Sequence, residues 1–264
     1  MDLTARQRNE FAYHAQHASR FAAEMPPTEE EILRNPCRKW WNHYWAAYAL
    51  LAGHGLSGKS LLVPGCGTGV DAINCARMGA SVTAIDLSPQ MLEVAMAAAA
   101  REGVEVKFLQ RPAESLDFAG DTFQVLFIRD LLHHCDISAC MDELVRVARD
   151  GAFIVIDELY THSLLQRLRN SRIGMSAYGR LVPIIYAGRE PYITPDERKI
   201  DERELNIVLR RIRAPRVDFF NVVVNRFCTD ADNFEKADRL FTRCIGPLGR
   251  ILAGRVLVSG RIKH

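Results

Sequence analysis

The sequence predicts an α/β fold: a mostly parallel sheet of seven strands with helices on both faces. Three observations point to it. From Ser60 onward, short apolar runs alternate with helical stretches, the pattern of successive strand and helix units joined by right-handed crossovers. Gly79, Gly103 and Gly151 punctuate helix-to-strand joints, where a left-handed residue ends a helix without strain. Two more strand-like runs follow a long interruption, as expected when a last pair of strands completes a sheet.

Residues 1–55 read as an N-terminal helical lid, rich in aromatics from Phe11 and Phe21 to Trp45 and Tyr48 and broken at Pro26 and Pro27. Residues 56–160 form the ligand-binding core, with strands expected at Leu61–Val63, Ser81–Ile85, Val104–Leu109, Phe123–Ile128 and Ala152–Ile156. Helices at Ala72–Met78, Pro89–Arg101 and Ser138–Arg149 connect them. Residues 161–214, with many arginines and with Pro183, Pro191 and Pro195, break the alternation and read as an inserted helical cap on the substrate side. Residues 215–264 supply the last strands, Val217–Phe227 and Arg255–Arg261, around a helix at Asp230–Ile245.

Composition narrows the function. With 34 Lys and Arg against 32 Asp and Glu, the net charge of +2 predicts no nucleic-acid surface and suits a small partner. The seven cysteines include no Cys-x-x-Cys pair, which predicts reduced thiols rather than a disulfide framework or a zinc knuckle. The first ten residues are charged from the second onward and lack the apolar core of a secretion signal, and the longest mostly apolar stretch, Trp45–Leu56, is too short for a membrane span. A cytoplasmic protein without a membrane span is expected.

Two glycine motifs compete. Residues 53–60, GHGLSGKS, match the phosphate-binding pattern G-x-x-x-x-G-K-[ST] at every fixed position. That mechanism needs a strand before the loop and a helix after it. Here a helix precedes and a strand follows, so the motif reads as a connector. The second motif, Gly65-Cys66-Gly67-Thr68-Gly69, has the required order, and the next strand ends at Asp86. An acid there can accept hydrogen bonds from two ribose hydroxyls, which implies a nucleoside cofactor. Val70 occupies the place of the dinucleotide fingerprint's third glycine, which favours S-adenosylmethionine over NAD.

The segments LLVPGCGTG, VTAIDLSPQML, LQRPAESLDF, TFQVLFIRDLLHH and GAFIVIDE follow one another at matching intervals. Together, over residues 55–160, they resemble the class I S-adenosylmethionine-dependent methyltransferases, especially those acting on small molecules and on quinone-type or lipid-like substrates. The resemblance implies a Rossmann-like core with S-adenosylmethionine as cofactor. It places Gly65, Cys66, Gly67 and Gly69 on the methionine part and Asp86 on the ribose hydroxyls. Leu87 and Met91 would pack on adenine, Ala113 and Glu114 would contact it, and Ile128 and Arg129 would line the methyl-transfer site. Two positions depart from the family pattern: Val63 and Pro112 stand where acids are usual.

His133 and His134, just after the fourth strand, are the candidate general bases, a histidine near neutrality being suited to take an acceptor's proton. Relatives also use such a pair to hold the turn. His14 and His17, three apart on the N-terminal helix, read as a solvated pair or as one facing the cofactor, and the aromatics Tyr13, Trp41 and Tyr44 come from the segment that covers the site in relatives. Asp130, Asp157 and Glu158 stand at strand ends where catechol-type methyltransferases hold Mg²⁺, but no clear further ligand accompanies them and no metal is expected. Arg167, Arg169, Arg172, Arg180 and Arg189, with the apolar run Leu181–Tyr186, suit an acidic or lipid-like acceptor, or else a solvated helix face.

The expected activity is methyl transfer to an O, N or C atom of a small-molecule acceptor, and a homodimer is compatible with it. One rival keeps the cofactor but isomerises or cyclises its substrate. An NAD-dependent oxidoreductase is disfavoured by Val70 and by the lack of a Tyr-x-x-x-Lys pair. A non-catalytic module that senses the cofactor is the third alternative.

Overall fold

The computed structural model describes Arg8 and residues 30–171, 199–222 and 232–264. Tyr13, His14, His17, Arg172, Arg180, Arg189 and the run Leu181–Tyr186 lie outside the described residues, as does the side chain of Arg169. A short α1 (Glu30–Arg34) and a 3-10 turn (Pro36–Lys39) lead into α2 (His43–His54). The series β1 (Ser60–Pro64), α3 (Val70–Arg77), β2 (Ser81–Asp86), α4 (Pro89–Arg101), β3 (Val106–Gln110) and β4 (Phe123–Arg129) then builds one half of the sheet and turns into the other. A second 3-10 turn (Leu132–His134), α5 (Ile137–Val147) and β5 (Ala148–Leu159) follow. The chain continues through α6 (Ser163–Asn170), α7 (Glu202–Arg210), β6 (Ile212–Phe220), α8 (Asp232–Cys244), α9 (Pro247–Leu252) and β7 (Arg255–Ile262).

The seven strands form one sheet in the order β3-β2-β1-β4-β5-β7-β6. Neighbours from β3 to β5 pair in parallel, while β7 runs antiparallel to both β5 and β6. The chain winds outward from β1 to β3 and then restarts at β4 on the other side of β1. That switch point, beyond the carboxyl ends of β1 and β4, is where open α/β sheets bind ligands.

Alternation along the strands sorts the core into two layers. Leu62, Leu126, Ile128, Ile154 and Ile156 face α5 and α7, packing with Leu144, Leu205 and Val208. Leu61, Val63, Val125, Phe127 and Val155 face α2 and α3, packing with Tyr48, Leu51, Ala72 and Cys75. Local chemistry starts the helices: Ser88 accepts the Met91 N–H at the head of α4, and Asp136 accepts that of Ala139 at the head of α5. At α7, Asp201 and Glu204 form a reciprocal capping box.

Within the expected lid, α2 is a core helix: Tyr48 and Leu51 are fully buried, and each such side chain contributes about 1.5–3 kcal/mol. Within the expected cap, α7 belongs to the core under the sheet. β6 begins at Ile212 rather than Val217, because its edge position tolerates Pro215 and a bulge between Arg213 and Arg216 absorbs the irregularity, with Ala214 at φ +46°. β5 begins at Ala148, pairing with Phe123 before the run Ala152–Ile156.

The bulge constrains β7. A Cβ on Gly260 would meet Ile212 Cγ2 and lie 2.9 Å from the Arg213 carbonyl oxygen. Gly260→Ala is therefore expected to destabilise the fold by about 1–3 kcal/mol, measured as a lowered urea midpoint.

Candidate active site

The glycine loop joins β1 to α3, and all three of its glycines lie in the left-handed region: Gly65 at φ +65°, Gly67 at +51° and Gly69 at +84°. Two of them also admit no side chain. A Cβ on Gly65 would lie 2.7 Å from Leu131 Cδ1, and one on Gly69 would lie 2.7 Å from Ala95 Cβ. The loop is pinned by Cys66 N–H on the Ile85 carbonyl (2.9 Å) and Gly69 N–H on that of Cys66 (2.8 Å). Cys66 is buried beside it, and burial pushes its thiol up. Val63 is packed in the α2 and α3 layer, so an acid there would enter the core.

Asp86 ends β2 facing this loop. Its Oδ2 accepts the Gly67 N–H at 2.8 Å and its Oδ1 the Ser88 N–H at 2.9 Å. Both oxygens are thereby fixed, and a carboxylate retains further lone pairs for a diol. Met91 is buried, with Cε 3.8 Å from the place a Gly67 Cβ would take, and half-buried Leu87 accepts the Gln110 amide on its carbonyl. Ala113 is buried, while Glu114 accepts the Asp136 N–H at 3.4 Å, tying the segment after β3 to α5. The loop, Asp86 and Met91 thus lie together.

At the end of β4 the side chains do something the sequence does not reveal. Ile128 is wholly in the core, so its backbone alone reaches the edge. The Arg129 guanidinium is buried: Nε lies 3.1 Å from Asp71 Oδ2 and Nη1 3.2 Å from Asp157 Oδ2. Its carbon sits 4.0 Å from the centre of the Tyr44 ring. Asp71, in the first turn of α3, also takes the Tyr48 hydroxyl.

Asp157 has no solvent exposure and is approached from three elements. Besides Arg129 it accepts Arg255 Nε at 3.1 Å and His43 Nδ1–H at 2.9 Å. Burial alone would raise its carboxyl, but Arg255, His43 and Arg129 hold it far below the usual carboxylate range. Burial pushes the His43 imidazole below its ordinary value, against the pull of Asp157. Arg255 continues the chain outward, with Nη2 2.7 Å from Asp130 Oδ1.

The next residue of β5 points to the opposite face. Glu158 Oε2 accepts the N–H groups of Leu131 (3.1 Å) and Leu132 (2.8 Å), and Oε1 accepts that of Leu159 (2.7 Å). His133 Nδ1–H donates to Oε1 at 2.5 Å. Burial opposes ionisation of Glu158, yet His133, Arg255 and the Leu159 amide hold its carboxyl below the usual range. The His134 ring lies 4.0 Å from that of His133. Ligand atoms of Asp130, His133 and Glu158 fall within 4.8 Å of one another; Asp157 is turned away from this group.

The structure settles the rival motif: Gly58 lies in a turn, and Lys59 Nζ donates to the His54 carbonyl that ends α2 (3.0 Å). Sequence reading missed His43, Asp71 and Arg255. Asp71 had a local signal, an acid in the first turn after a glycine loop. His43 and Arg255 had none, since they reach Asp157 across 114 and 98 residues of chain.

Asp157→Asn is expected to cost about 3–5 kcal/mol, because it leaves two buried guanidiniums short of a counter-charge. The depressed native value of Asp157 means its stabilisation is complete above the unfolded carboxylate value of about 4 and is lost as pH falls toward the native one. Urea midpoints from pH 7 to pH 3 should fall steeply for the native protein and less steeply for the variant.

Comparison with known proteins agrees with this geometry. A family model described as a methyltransferase domain matches residues 62–156. An uncharacterized protein of Mycobacterium tuberculosis is 34% identical over 151 residues, covering 55% of this chain and 54% of that protein, so the chain spans about half the length of this relative. The ubiquinone biosynthesis O-methyltransferase of Vibrio parahaemolyticus is 25% identical over 201 residues, covering 70% of this chain and 84% of the enzyme. The fold matches that of a geranyl diphosphate C-methyltransferase from Streptomyces coelicolor, with a TM-score of 0.64 at 13% identity over the full length of both chains. Residues 62–156 of the chain thus carry a methyltransferase domain.

Proposed function

We propose that the protein transfers the methyl group of S-adenosylmethionine to an oxygen, nitrogen or carbon atom of a small molecule. The observation that carries the reading is the left-handed glycine turn whose Gly67 N–H is held by Asp86 and which is packed against Leu131 and Ala95 too closely to admit a Cβ at Gly65 or Gly69. Gly65, Cys66, Gly67 and Gly69 would hold the methionine part, Asp86 the ribose, and Leu87, Met91, Ala113 and Glu114 the adenine. When bound, the cofactor supplies an electrophilic methyl carbon, which the acceptor's electron pair attacks as the carbon–sulfur bond breaks toward sulfur, leaving S-adenosylhomocysteine.

The chain's own work is to align the two reactants and to take the proton the acceptor loses. Ile128 and Arg129 bound that place through their backbone, with Arg129 keeping β4 in register with α3. His133 is the general base we favour. Glu158 fixes its Nδ1 as the protonated nitrogen, which leaves Nε2 as the basic one. His134 packs on that ring and is the second candidate. The arginines behind an acidic or lipid-like acceptor lie mostly outside the described residues. Among the described residues no helix is long and apolar enough to cross a membrane, and a cytoplasmic site of action and a homodimer are further parts of this proposal.

Isothermal calorimetry should show S-adenosylmethionine and S-adenosylhomocysteine binding and NAD not binding. Asp86→Ala should weaken binding by about 1–3 kcal/mol; NAD binding in place of the methyl donor would overturn the reading. For an acceptor whose nucleophile carries a proton, His133→Asn should lower kcat about 10²–10⁴-fold with the cofactor Kd unchanged. Product mass then separates methylation, a gain of one methylene unit, from isomerisation or cyclisation.

A further inference from the structure

Asp130 is the first residue beyond β4, beside the switch point. Its neighbour Leu131 packs on Gly65, so Asp130 stands next to the glycine turn. It holds a left-handed φ of +48°, and its N–H donates to the Asp157 carbonyl at 3.1 Å. Arg255 approaches its carboxylate from the buried side: the Asp130 side chain is 44% exposed and that of Arg255 8%. Oδ1 is taken by Arg255, and Oδ2 receives no hydrogen bond from a described residue.

The charges around it do not balance. Asp71, Asp130, Asp157 and Glu158 supply four carboxylates, and Arg129 and Arg255 two guanidiniums. Both guanidiniums are buried, and each is already shared between two carboxylates: Asp71 and Asp157 for Arg129, Asp157 and Asp130 for Arg255. The imidazoles of His43 and His133 each donate to a carboxylate of the same set. Among these residues, then, no cation faces an incoming anion, and the most exposed charge is negative. Partial burial raises the Asp130 carboxyl, Arg255 pulls it back, and Glu158 and Asp157 push it up again, as expected for a carboxylate crowded by its own sign.

We infer that the acceptor presents a hydrogen-bond-donating or cationic group, an amine or a hydroxyl, to Asp130, and that a carboxylate or phosphate is refused there. The inference rests on the methyl-transfer reading and names the substrate class of the same site. It sets aside an acidic group at the reacting end of the molecule and leaves an apolar tail compatible. Asp130 acts as a specificity-determining residue, and Arg255 as the positioning residue that holds its carboxylate beside the switch point.

The test uses the full chain saturated with S-adenosylhomocysteine in buffer containing EDTA, titrated with phenethylamine and with 3-phenylpropionate, two probes of one skeleton and opposite charge. The amine should bind about tenfold more tightly than the acid. Asp130→Asn should reduce that preference to about threefold or less with the S-adenosylhomocysteine Kd unchanged. Asparagine tolerates the left-handed backbone, so the variant is expected to fold. Equal binding, a preference for the acid, binding by neither probe, or a preference that survives Asp130→Asn would each overturn the inference. A native protein that binds no S-adenosylhomocysteine would remove the methyl-transfer reading instead.

Discussion

Asp157 is an ionised carboxylate at a place without water, and the site is built around keeping it there. Removing such a charge from solvent costs several kcal/mol unless its partners are held in good geometry. The partners come from three elements: Arg129 from β4, Arg255 from β7 and His43 from α2. Each is therefore fixed relative to β5. Through Arg129 and Asp71 the constraint reaches the first turn of α3, and so the glycine loop. The carboxyl ends of β4 and β5 are tied to each other, to β7 and to α2 by these ion pairs.

The pleat of β5 divides labour between adjacent acids. Side chains at successive strand positions point to opposite faces, so Asp157 enters the α2 and α3 layer while Glu158 enters the α5 and α7 layer. The first organises structure. The second accepts the Leu131 and Leu132 N–H groups at the turn that carries His133, together with the Leu159 N–H of β5, and orients the imidazole itself. The turn and the buried His133 ring are thereby held together. Arg255 links the two functions, since it touches both the buried Asp157 and the exposed Asp130.

The strands and helices of the core were legible because each depends on short-range patterning. β1, β2 and β4 appear where apolar runs are, and α4 starts at the Ser88-Pro89 pair that signals a helix. The phosphate-loop string at residues 53–60 shows the limit of motif matching: every letter fits, but its lysine caps a helix end. β6 was harder to read, because a proline and a bulge break the period-two signal on which strand recognition rests. The role of α2 was obscured for another reason. Its aromatic residues suit an outer lid as well as a core helix, and only the fully buried Tyr48 and Leu51 distinguish them.

For this chain, the order of residues was enough to identify the sheet, the glycine turn, the acid at the end of β2 and the histidines after β4, since all are contiguous signals governed by backbone conformation and side-chain period. It could not say which charges meet. The Arg129 guanidinium is a buried tie between Asp71 and Asp157, while Asp130 is an exposed carboxylate paired with Arg255. Those outcomes depend on side chains from α2, β5 and β7 converging across about a hundred residues of chain. Electrostatic pairing acts through space over a few ångströms, and spacing along the chain carries no record of it.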